Sequence, residues 1–138
     1  MDLAYHEQMP HVHRKDIADR QGVPFEYLDQ ILGKLRKSGL VESVRGRGGG
    51  YRLARSSSVI SAWDILSAVE DSLRPVACIG EEHSCAFGVA CVSKDAWQSV
   101  HSEIQKALQS MNLAVMVGTW AQKHHMCPAG GVRECKSG

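Results

Sequence analysis

Phe25, Leu28, Ile31, Leu32 and Leu35 recur at spacings of three and four, which predicts a helix with one buried face. Pro24 begins it at the first turn, where a missing N–H costs nothing, and Gly39 ends it. Ahead of it, Arg14 to Gln21 forms a shorter helix that turns Ile17 and Ala18 inward and stops at Gly22. Two short helices joined by Gly-Val-Pro make a helix-turn-helix pattern, whose second helix is the one that enters a DNA major groove. Leu40 to Arg45 then alternates apolar and polar, Gly46-Arg47-Gly48-Gly49-Gly50 follows, and Tyr51-Arg52-Leu53 is a second short strand. A hairpin with a glycine-rich, arginine-tipped turn behind two helices predicts the winged variant.

Ser61 and Asp64 form a capping box for a helix running to about Glu70. Residues 75–92 show neither periodicity. From Ser93 onward Trp97, Val100, Ile104, Leu108, Met111 and Val115 keep three- and four-residue spacing, so one long amphipathic helix is expected, with a stripe in want of a partner helix. Met1 to Glu7 is helix-compatible but has no capping residue ahead of it, like the second half of a helix. The expected organisation is a winged helix-turn-helix domain over 1–74 with a truncated first helix, a cysteine-bearing loop over 75–92, a dimerisation helix over 93–126 and a flexible tail over 127–138. The fold class is mainly α with a small β-hairpin.

The chain has 138 residues, 43% hydrophobic and 22% charged, which fits one compact globular domain with a helical appendage. Net charge is only +1, but its distribution is uneven. Residues 1–60 carry ten Lys/Arg against seven Asp/Glu, and 61–138 carry six against eight. Between Leu32 and Arg55, seven basic residues face Glu42 alone, a local footprint for phosphate. There is neither an 18-residue apolar run nor a charged, apolar leader, so a cytoplasmic protein without membrane contact is expected. In a reducing compartment five cysteines point to metal or redox chemistry rather than disulfides. Nucleophile-elbow, phosphate-loop and zinc-protease motifs are all absent, so an enzyme is not expected.

Once the apolar face of the second helix is assigned, Glu26, Tyr27, Asp29, Gln30 and Lys34 are left facing outward. Gln suits an adenine edge and Asp or Glu a cytosine amino group, although each of these side chains is equally compatible with a solvated surface. In the hairpin, Arg45 and Arg47 suit phosphate or the minor groove, while Gly48 and Gly49 permit positive φ and close backbone approach. Cys78, Cys85 and Cys91 stand at C-x6-C-x5-C in a loop, where three thiolates can converge on a soft metal or an iron-sulfur cluster. A structural zinc, usually marked by C-x2-C pairs, and three unliganded thiols are the alternatives. His83 is a possible further ligand. Cys127 and Cys135, with His124 and His125, form a weaker second group because a glycine-rich tail offers no rigid frame.

Tyr27 to Gln30, Leu35 to Val41 and Val44-Arg45-Gly46-Arg47-Gly48-Gly49-Gly50-Tyr51, followed by the three cysteines, resemble the family of iron-sulfur winged-helix transcriptional regulators that includes IscR, NsrR and RirA. The resemblance covers roughly residues 1–120. It implies a homodimer on double-stranded promoter DNA, with Asp29 and Gln30 on the base-reading helix, Arg45 in the wing, and Cys78, Cys85 and Cys91 as ligands of a [4Fe-4S] or [2Fe-2S] cluster that responds to iron, oxidants or nitric oxide. Two features depart from IscR: Lys94 occupies the position of its histidine ligand, and the first cysteine interval is longer, as in three-cysteine members associated with [4Fe-4S]. Members also carry a longer first helix, so the start of this chain is expected to be truncated. The competing classes are a cluster-free thiol-redox regulator and a metal or iron-sulfur carrier without DNA binding.

Overall fold

The computed structural model describes residues 1–46, 48–76 and 91–124. Its elements are α1 (Asp2–Tyr5), α2 (Arg14–Gln21), α3 (Phe25–Lys37), β1 (Val41–Val44), β2 (Gly50–Leu53), α4 (Ala62–Val69), α5 (Val92–Ser110) and α6 (Leu113–His124). This is the mainly helical, winged architecture expected. The core is one cluster: Leu3 from α1, Ile17 and Ala18 from α2, Leu28 and Leu32 from α3, Leu40 and Val41 at the hairpin, Ile60 from the connector and Leu113 from α6.

Local chemistry explains the helix boundaries. Gly22 stops α2 in the left-handed region at φ 62°. Gly39 does the same after α3 at φ 67°, and the Leu40 amide reaches back to the Leu35 carbonyl, closing the last turn. Pro24 sits one step earlier than expected. It is the N-cap of α3, with extended backbone (φ −61°, ψ 145°), and Phe25 is the first helical residue. Phe25 also departs from the apolar face and is exposed, its ring lying under the Arg14 guanidinium at 5.4 Å. The capping box of α4 forms as predicted: the Asp64 amide donates to the Ser61 hydroxyl, and the Asp64 carboxylate accepts from the Ser61 amide.

The strands pair antiparallel in the register Val41↔Leu53 to Val44↔Gly50. A third segment joins them: Val12 and Tyr51 exchange backbone hydrogen bonds of 2.8 and 2.9 Å. That contact explains Gly50, since a Cβ there would collide with the Val12 carbonyl. A Cβ on Gly49 would likewise strike the Val44 carbonyl. These two glycines admit the chain's own backbone, a need that the sequence alone did not reveal.

The single helix expected over 93–126 is instead two. The chain leaves α5 at Met111, whose carbonyl accepts from the Ala62 amide at 2.8 Å, while the Leu113 amide donates to Ile60 at 2.8 Å. The Asn112 side chain then accepts from the Val115 amide at 2.9 Å and restarts the helix as a cap. The apolar stripe survives the break, which is why its spacing hid it. Ser57, buried, holds the connector: its amide and hydroxyl donate to Glu7, and its carbonyl accepts from Ala114.

Candidate nucleic-acid interface and cysteine ligands

The buried Leu28 and Leu32 turn the opposite side of α3 to solvent, with Glu26, Tyr27, Asp29 and Gln30 all exposed. Two of the five polar positions predicted for this helix are already engaged. Both carboxylate oxygens of Asp29 accept from Arg14 Nη1, at 3.0 and 2.8 Å. Lys34 extends to the far end of α4, where Nζ donates to the Val69 carbonyl at 2.6 Å and lies 3.5 Å from the Asp71 carboxylate. A cation at a helix C-terminus is favourably placed, so the structure gives Lys34 an internal role. Among the described residues, Glu26, Tyr27 and Gln30 have no such partner and stand exposed.

In the wing, Arg45 is exposed and Gly46 and Gly48 adopt positive φ of 129° and 87°. Arg47 lies outside the described residues. Sequence reasoning passed over His13 and Arg14 at the start of α2. His13 Nδ1 donates to the Gly49 carbonyl at 3.0 Å, and Arg14 reaches α3. Both contacts join positions far apart in the chain, and no local pattern encodes them.

Of the candidate metal ligands only Cys91 is described: a free, half-buried thiol at the N-cap of α5. A helix start carries amides without i−4 acceptors, and such an end favours an anionic group. Lys94 donates its amide to the Cys91 carbonyl at 3.0 Å. Cys78, Cys85, His83, His125, Cys127 and Cys135 lie outside the described residues, as do the side-chain details of His124. Among the described residues no helix is long and apolar enough to cross a membrane.

The sequence profile of the Rrf2 family, iron-dependent transcriptional regulators, matches residues 1–119. The chain belongs to the Rrf2 family. The HTH-type transcriptional regulator IscR of Vibrio cholerae is 39% identical over 117 residues, spanning 85% of this chain and 67% of that protein. IscR of Yersinia enterocolitica is 38% identical over 117 residues, spanning 85% and 71%. Among solved structures, T. potens IscR has a TM-score of 0.71 at 38% identity, covering 93% of this chain and 83% of its own. CymR, the global cysteine regulator of B. subtilis, has a TM-score of 0.69 at 27% identity, covering 86% of both. This Rrf2-family chain is therefore a winged-helix, DNA-binding transcriptional regulator and not an enzyme.

Proposed function

We propose that this Rrf2-family regulator binds promoter DNA as a homodimer and senses iron or redox state through an iron-sulfur cluster held by Cys78, Cys85 and Cys91. The observation that carries the sensing half is the free Cys91 thiol at the head of α5, the helix that follows the cysteine-bearing stretch of sequence. Three thiols are a soft donor set suited to iron-sulfur ligation. A bound cluster would supply redox-responsive iron. Cys91 would transmit its gain or loss to the start of α5, because its carbonyl caps the Lys94 amide.

The dimer reading rests on α5, which buries none of its residues in the protomer; Trp97, Val100 and Ile104 are each 41–44% exposed along one stripe. A repeated exposed apolar stripe of this length is expected to be covered. On DNA, α3 would enter the major groove with Glu26, Tyr27 and Gln30 toward the bases, and Arg45, Arg47, Gly48 and Gly49 would meet the backbone or the adjacent minor groove. Asp29 would act through Arg14, and Lys34 as a brace to α4.

Anaerobic purification, a visible spectrum and assays of iron and acid-labile sulfide test the sensing half. A brown protein with stoichiometric sulfide, colourless after Cys85→Ala, supports the cluster; stoichiometric iron and sulfide that persist in Cys85→Ala remove that ligand. A second reading, thiol sensing without a cluster, is favoured by the likeness to CymR of Staphylococcus aureus solved in an oxidised form, at TM-score 0.62 and 29% identity. It predicts a colourless protein whose DNA affinity responds to peroxide.

A further inference from the structure

We infer that His13 is a positioning residue for DNA binding, fixing the wing against the helix-turn-helix through its hydrogen bond to Gly49. The inference rests on the reading of the wing as a DNA-contacting element.

His13 is the N-cap of α2, with extended backbone at φ −69° and ψ 139°, yet its side chain makes no capping bond. Residues at this position ordinarily use their side chain to accept from first-turn amides. Here the imidazole turns away, and since a carbonyl can only accept, Nδ1–H is the donor to Gly49 across 36 residues of sequence, at 3.0 Å. His11 stands edge-on to the ring, with centroids 5.1 Å apart at 81°, and the ring lies so near Gly48 that a Cβ there would come within 3.3 Å of Cε1.

Among the described residues, little else holds the turn this bond reaches. Its pairing ends at Val44↔Gly50, and the Gly49 amide closes on Gly46 at 3.0 Å. Among the described residues, the His13 bond is the one side-chain hydrogen bond to residues 45–49. A two-stranded ribbon is marginal by itself. Val12 and His13 correct this at consecutive steps, Val12 pairing with Tyr51 and His13 with Gly49. The next side chain, Arg14, forks onto Asp29 of α3. Two adjacent residues at the head of α2 thus join the wing on one side and the recognition helix on the other. Their joint effect is to set the spacing between Arg45 and the outward face of α3 before DNA arrives, so that binding need not order the tip.

A positioning role separates from a phosphate contact by salt dependence. Each phosphate neutralised by the protein contributes about 0.9 to the slope of log affinity against log salt, whereas loss of preorganisation lowers affinity at every salt concentration. The test uses the full chain, purified anaerobically, and a duplex selected from a random-sequence pool by the unaltered protein. His13→Ala should bind about three- to tenfold more weakly, with the slope unchanged and faster amide exchange at Gly49 and Tyr51. His13→Asn, whose amide nitrogen sits near the Nδ1 position, should restore affinity; His13→Gln, which extends its amide toward the Nε2 position, should not. This Asn–Gln contrast also stands if the alanine variant folds poorly.

A slope reduced by about 0.9 in His13→Ala would make His13 a phosphate ligand and overturn the inference. So would unchanged affinity in all three variants while Arg45→Ala weakens binding, which would leave the wing reading intact. If Arg45→Ala and Arg47→Ala combined also change neither affinity nor slope, the wing does not contact DNA and both readings fall.

Discussion

Asp29→Ala distinguishes an acidic side chain that reads a base from one that restrains an arginine. In the free protein its carboxylate holds Arg14 at 2.8 and 3.0 Å, with Arg14 49% and Asp29 45% exposed. A pair so open to water contributes at most about 1 kcal/mol, so the fold should tolerate its loss. Phe25 remains beneath the guanidinium at 5.4 Å and keeps Arg14 on the α3 surface. The variant therefore presents one more unit of positive charge to DNA. If that charge neutralises one phosphate, the salt slope steepens by about 0.9, equivalent to roughly fivefold tighter binding at about 0.15 M salt. A lost cytosine contact has the opposite sign: about 1–3 kcal/mol, or roughly 5- to 150-fold weaker binding, on the preferred sequence. Fluorescence anisotropy titrations across a salt series, on a selected duplex and a scrambled one, read both quantities. Tighter binding to both duplexes with a steeper slope is expected. Weaker binding confined to the selected duplex, at constant slope, would refute the restraint and return Asp29 to base reading.

Gly50→Ala should destabilise the fold by about 1–3 kcal/mol, the worth of the two Val12–Tyr51 bonds that a Cβ there would force apart; an unchanged urea midpoint at fixed protein concentration would show that the bridge is dispensable. Ser61→Ala removes the α4 cap and should cost about 0.5–2 kcal/mol, read by the same denaturation. Acid sensitivity follows from two carboxyls held below their ordinary range, Glu7 by the Ser57 hydroxyl and then its amide, and Asp64 by the Ser61 amide and then its hydroxyl. Because the folded values are depressed, this stabilisation is complete above the ordinary carboxylate range and fades as pH falls through the depressed values. Stability should be level from neutral pH to about 5 and decline below about 4, less steeply in Ser57→Ala; an identical decline in that variant would exclude the Glu7 contribution. Arg45→Ala should reduce the salt slope by about 0.9 if the side chain meets a phosphate, and an unaltered slope removes it from the backbone contacts.

Short-range chemistry was legible in the sequence wherever one element decided the outcome. The stop at Gly22, the Ser61–Asp64 box and the apolar face through Leu28 and Leu32 all appear where the residues placed them. Phe25 broke the pattern because a neighbouring helix supplies a cation for its ring. Lys34 and Asp29 look alike as surface charges in sequence, and their engagement became visible only with α4 and α2 in place. The break at Met111–Asn112 was missed because the three- and four-residue spacing runs on through it. Asn112 itself was the available signal, a capping residue three positions before Val115.

The sequence by itself determined the helix-turn-helix, the hairpin after it, the apolar stripe of α5 and the thiols available to a metal, since periodicity, glycine, proline and caps act within a few residues. Only the tertiary structure decided what the wing rests on, which of its glycines make room for Val12 and Val44, and which charges on α3 are already engaged. Those outcomes depend on backbone and side-chain groups brought within about 3 Å by the packing of distant segments, and such a contact leaves no period or spacing in the chain.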